Sequence, residues 1–149
     1  NSPADMAAFL AATYTPARQA AEIADPGAVV LLAEDADAPG HDPLVGYAYL
    51  GTGPAPAAVA GPAPVELRRL YVDRRWHGRG VAHALMAACL DAARARGAET
   101  LWLGVWERNP RAAAFYAKWG FARVGEHTFR LGGDAQTDWL LARPVGAAQ

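Results

Sequence analysis

The sequence predicts a mixed α/β fold, a central sheet with helices packed on it. Three observations predict it. Apolar runs of strand length recur between turns rich in glycine, proline and aspartate. One long stretch between two such runs carries its apolar residues at helical spacing instead. Hydrophobic residues make up 52% of the 149 residues and charged residues 19%, the balance of a chain that buries a core. That length fits a single domain, 1–149, large enough to need neither a disulfide nor a metal to hold it.

The elements follow in chain order. Ser2 and Pro3 read as an N-cap and first helical position, and Thr15 and Pro16 repeat the device, so two helices open the chain. The second stops at Asp25-Pro26-Gly27. "AVVLLAE" (28–34) is a short buried strand, 35–43 a polar turn, and "LVGYAYLG" (44–51) the next strand. The alanine-, glycine- and proline-rich stretch 52–64 is too short for a domain linker and reads as a hairpin connection to the strand "VELRRLYVD" (65–73). Val81, Ala82, Leu85, Met86, Cys89, Leu90 and Ala93 then mark one face of a helix that ends at Gly97. "TLWLGVWE" is a strand, in which Trp102 and Trp106 fall on one side and read as core. "NPRAAAFYAKWG" is a helix with Asn109 as N-cap, Pro110 behind it and Gly120 as terminator. "FARVGEHTFRL" and "TDWLLARPV" are closing strands around a "GGDAQ" turn.

Composition limits the function. A formal net charge of -1 gives no general attraction to nucleic acid. A lone cysteine, Cys89, has no internal disulfide partner, which points to the reducing cytoplasm. No apolar run approaches the roughly 18 residues of a membrane span, and no secretory leader is visible. The alanine, glycine and proline content suggests a GC-rich bacterial genome.

The chemistry gathers at "RRWHGRG" (74–80), between a strand and a long helix. A turn that opens a helix leaves backbone N–H groups pointing outward, with the positive end of the helix dipole behind them. Gly78 and Gly80 let a ligand come close to that backbone, and Arg74, Arg75 and Arg79 add positive charge. Together they make a phosphate site; the plainer alternative is a tight turn with solvated arginines. A Walker A loop would need Gly-Lys-Ser/Thr, and Val81-Ala82 follows instead. A Rossmann fingerprint would need a small residue where His83 stands. NAD and ATP are therefore poor fits.

The run Arg75-Trp76-His77-Gly78-Arg79-Gly80 resembles the R/Q-x-x-G-x-G/A signature of the GNAT superfamily of acyl-CoA-dependent N-acetyltransferases. The strand "LRRLYVD" before it and "LWLGVWERNPRAAAFYAKWGF" after it resemble the family's other motifs in order, so the likeness covers residues 28–145. It implies a GNAT-like fold whose sheet splays between the fourth and fifth family strands. It also implies that the chain starts short of the family's first strand. Acetyl-CoA is the implied cosubstrate, with no metal. Its pyrophosphate would lie on the backbone of Gly78, Arg79, Gly80, Val81 and Ala82, with Arg75 nearby. The pantetheine arm would pair with Leu70, Tyr71 and Val72 and touch Asn109. Tyr116, seven residues after Asn109 and on the same helix face, would protonate the leaving thiolate, as a phenol of pKa ~10 can.

The attacking amine must first lose a proton. Some relatives carry a glutamate five residues before the asparagine; here that residue is Gly104. Glu66 is the first candidate for the base, acting through water, with Glu107, Glu34 and His127 behind it. The stretch "VGEHTFRLGGDAQTDWLLARP" resembles the bacterial Pai-type polyamine acetyltransferases, which implies a polyamine acceptor met by Glu66, Glu126, Asp134 and Asp138. Peptide or protein amines, aminoglycosides and amino acids stay open as acceptors, as does a silent acyl-CoA sensor. Tyr14 and residues 130–138 would shape the acceptor pocket. The resemblance leaves room for a homodimer and implies no nucleic acid or membrane partner.

Overall fold

The computed structural model describes residues 28–35 and 44–146. The two helices expected at the start of the chain, and Tyr14, lie outside the described residues. Six strands form a mixed sheet in the order β1-β2-β3-β4-β6-β5. They are β1 (Val29–Glu34), β2 (Leu44–Gly51), β3 (Pro64–Val72), β4 (Thr100–Trp106), β5 (Ala122–Leu131) and β6 (Asp134–Pro144). Two helices, α1 (Val81–Ala95) and α2 (Pro110–Lys118), connect β3 to β4 and β4 to β5. Among the described residues no helix is long and apolar enough to cross a membrane.

The chain divides into two compact units, and β3 runs through both. One contains β1, β2, β3 from Arg68 onward and α1 as far as Ala92. Here β1 pairs antiparallel with β2 from Val29↔Leu50 to Glu34↔Leu44. β2 lacks any polar alternation and is buried from Val45 to Gly51, as a strand covered on both faces should be. Ala28, Tyr47 and Tyr49 form a core cluster with Val30 and Tyr71 against it. Gly46 is required by close approach: a Cβ there would stand 2.6 Å from the Tyr71 carbonyl oxygen and 3.3 Å from Leu85. Leu85, Met86, Cys89 and Leu90 bury the α1 face that the periodicity predicts. Burial alone pushes the Cys89 thiol up to about 12, so it is a packed hydrophobe without thiolate reactivity.

The other unit holds β3 up to Leu67, then β4, α2, β5 and β6. The parallel β3–β4 ladder is short: Pro64, Val65 and Glu66 pair with Thr100, Leu101 and Trp102. β4 keeps its antiparallel partner β6 much farther, from Thr100↔Pro144 to Trp106↔Asp138. Past Trp102, then, the β3-facing edge of β4 carries no ladder among the described residues. Trp102 closes a core cluster with Val59 and Leu140.

Two readings of the sequence are corrected in this unit. Trp106 is not core; it is 45% exposed, because β4 ends there and no apolar layer covers its last residue. The last turn is also tighter than "GGDAQ". β6 begins at Asp134, paired with Leu131, so only Gly132 and Gly133 form the loop. Gly132 has φ +62°, a conformation that glycine supplies freely at a two-residue hairpin.

Candidate active site

The glycine turn is built by the residues before it. Asp73 follows β3, and its N–H donates to the Val45 carbonyl at 2.7 Å. Its buried carboxylate caps a 3-10 turn, Arg74–Trp76, by accepting from the Arg75 N–H at 3.0 Å. It also accepts from Arg75 Nη2 at 2.8 Å. The Arg75 side chain beside Asp73 holds that carboxyl below its ordinary range despite burial. Its folded value is depressed, so the stability it contributes is present above the unfolded value and lost as pH falls through the folded one. His77 Nε2 lies 3.0 Å from the Val72 carbonyl oxygen, and the Arg79 guanidinium stacks 4.9 Å from the Trp76 ring centre. Asp73 and Trp76 thus order this turn; neither stands among the site residues that the resemblance implies, although Asp73-x-Arg75 is a visible pair.

Gly78 and Gly80 have φ +78° and +83°, a region that a β-branched residue adopts only under strain. A Cβ on either would meet nothing within 4 Å, so open space lies in front of both. Ala84 N–H bonds the Gly80 carbonyl, which makes Val81, Ala82 and His83 the first turn of α1. Amides there lack intrahelical acceptors, and no acidic residue occupies that turn. This is an open cradle of backbone donors, of the kind that suits a phosphate-like anion. Leu70, Tyr71 and Val72 lead into it, half-buried at the end of β3.

In the second unit Asn109 caps α2: its Oδ1 accepts from Ala112 N–H at 3.2 Å, which leaves the amide Nδ2 for other contacts. Tyr116 is half-buried, edge-on to Phe115 at 5.4 Å and to Phe121 at 5.6 Å. The Phe121 N–H donates to the Tyr116 carbonyl at 3.1 Å, and Arg143 donates to the Trp119 carbonyl, so the end of α2 is fixed.

The sheet register brings together two of the base candidates, Glu66 and His127. Glu66 pairs with Trp102, Gly104 with Leu140, and Asp138 with both Trp106 and His127. Direct partners and alternate residues share one face, so all of these lie on the same side of this unit's sheet. All but Trp106 line a cavity of about 250 Å³: Glu66, His127 and Asp138 supply its polar wall, Pro56, Trp102 and Leu140 its apolar wall, with Gly104 between them. Glu107 and Asp134 line a second cavity, of about 370 Å³, with Trp106, Arg108 and Gln136. Glu34 is exposed in β1, and Glu126 is exposed, 3.4 Å from Arg123.

The model of the Acetyltransferase (GNAT) family matches residues 3–121. An N-acetyltransferase of Lactobacillus delbrueckii subsp. lactis, itself uncharacterized, is 37% identical over 146 residues, 97% of this chain and 81% of that protein. The chain belongs to the GNAT family. Its fold matches solved GNAT structures. Nourseothricin acetyltransferase superposes with a TM-score of 0.68 at 26% identity, over 82% of this chain and 68% of that one. The PaiA N-acetyltransferase of Thermoplasma acidophilum, in complex with coenzyme A, gives 0.61 at 18% identity, over 97% of this chain and 80% of that one. At that identity the likeness is one of fold. In this chain the arginine of the R-x-x-G-x-G run, Arg75, is tied to Asp73.

Proposed function

We propose that the chain transfers the acetyl group of acetyl-CoA to a primary amine by direct attack in a ternary complex. The open glycine cradle at the start of α1 carries this reading. Acetyl-CoA supplies the acetyl group as a thioester. The backbone of Gly78, Arg79, Gly80, Val81 and Ala82 holds the pyrophosphate, Leu70, Tyr71 and Val72 hold the arm through their backbone groups, and the Asn109 amide adds a donor. Arg75 adds positive charge beside the cradle. Glu66 takes a proton from the acceptor's ammonium through water, which frees the lone pair for attack. Tyr116 gives its phenolic proton to the departing sulfur. The acceptor arrives as a cation, and a polyamine suits the carboxylates Glu66, Asp134 and Asp138 on the two cavities of the second unit.

Glu66→Gln tests the base. Turnover at neutral pH is expected to fall by roughly 10²–10⁴-fold, the range for a positioned acid or base. The deficit shrinks as pH rises toward the pKa of the amine, because the acceptor then arrives already deprotonated. A pH profile parallel to that of the unaltered protein would remove Glu66 from the mechanism.

A further inference from the structure

The smaller cavity of the second unit has a feature beyond the base. Asp138 is held at one oxygen and open at the other. Its Oδ1 accepts from Gln136 Nε2 at 3.1 Å. Its Oδ2 lies over Gly104, 3.5 Å from where a Cβ would stand. Gly104 is exposed and its φ is not positive, so it is not there to make a turn. What the missing side chain provides is room beside Oδ2. The walls on either side are apolar, Trp102 and Leu140, and among the described residues no lysine or arginine lines the cavity. An aromatic ring and a carboxylate together attract a cation. The cavity volume of about 250 Å³ suits the end of an alkylamine rather than a whole large molecule.

We infer that Asp138 binds the amine nitrogen of the acceptor through Oδ2, in its ammonium form, within the cavity over Gly104. This rests on the reading of the chain as an N-acetyltransferase. It makes Asp138 a specificity residue for cationic primary amines, separate from the proton transfer given to Glu66. Asp138→Asn keeps an oxygen for Gln136 and removes the charge. KM for the amine is expected to rise about 10–100-fold, the worth of a hydrogen bond to a charged group. kcat should stay within a few-fold, and acetyl-CoA affinity should not move.

A readout without turnover separates this from the acetyltransferase reading. n-Butylammonium chloride is titrated while the Trp102 indole N–H signal is followed by NMR, with neutral 1-butanol as the control. The ammonium should shift the signal and butanol should not, and Asp138→Asn should need 10–100-fold more ammonium. Gly104→Val, with Asp138 intact, fills the approach to Oδ2 and should produce the same loss, which covers an Asp138 variant that folds poorly. Equal responses to ammonium and butanol, or binding and KM unchanged in both variants, would overturn the assignment. Intact ammonium binding with no amine-dependent release of CoA would leave Asp138 a cation site and count against the acetyltransferase reading instead.

Discussion

Tyr116→Phe is expected to lower turnover by roughly 10²–10⁴-fold while leaving acetyl-CoA affinity nearly unchanged. The substitution keeps the ring and therefore its edge contacts with Phe115 and Phe121. It removes only the proton that the departing sulfur needs. Because that proton moves in the transition state, kcat and kcat/KM should fall together. A purely structural tyrosine predicts otherwise: loss of one hydroxyl would change stability by about 1 kcal/mol and leave the rate per folded molecule intact. Steady-state kinetics beside a melting curve distinguish the two, and a fully active Phe variant would show that another group protonates the thiolate.

Gly80→Val should weaken acetyl-CoA binding by roughly 10–150-fold, the loss of one charge-assisted backbone contact. The Cβ itself meets no protein atom, so nothing in the fold obstructs it. The valine instead projects into the space kept for the phosphates, and it resists φ +83°. Strain of that kind costs about 1–3 kcal/mol, which a folded chain of this size can absorb. Calorimetry on the folded variant decides the matter. Unchanged affinity would make the glycine turn a structural bend only.

The fold was legible where one local signal sufficed. Glycine and proline punctuation marks the described strands and helices, and Asn109, Gly97 and Gly120 sit where helix chemistry requires them. Legibility failed where the outcome depended on distant partners. Alternation places Trp106 beside Trp102, but whether an apolar layer covers a strand's last residue is a tertiary matter, and here none does. "GGDAQ" has turn composition throughout, yet β5 pairing captures Asp134 and leaves the two glycines as the loop. The candidate site divides in the same way. The glycine cradle is contiguous in sequence and could be read directly. The cavity joins Glu66, Gly104, His127 and Asp138 from four strands, and only the register of three ladders brings them onto one face. The ordering of Arg75 by Asp73 was readable in principle, two residues apart, but nothing in sequence spacing says that Asp73 is buried.

The central claim is amine-dependent transfer from acetyl-CoA, and release of free CoA thiol measures it most directly. Acetyl-CoA is incubated with the protein and a panel of primary amines that includes spermidine, a lysine-containing peptide and an aminoglycoside, and the acetylated product is identified by mass. The predicted result is CoA release that needs both the protein and an amine, matched by acetyl-amine formed one for one. Stabilisation of the protein by acetyl-CoA without amine-dependent release from any member of the panel would contradict it and make the chain an acyl-CoA sensor.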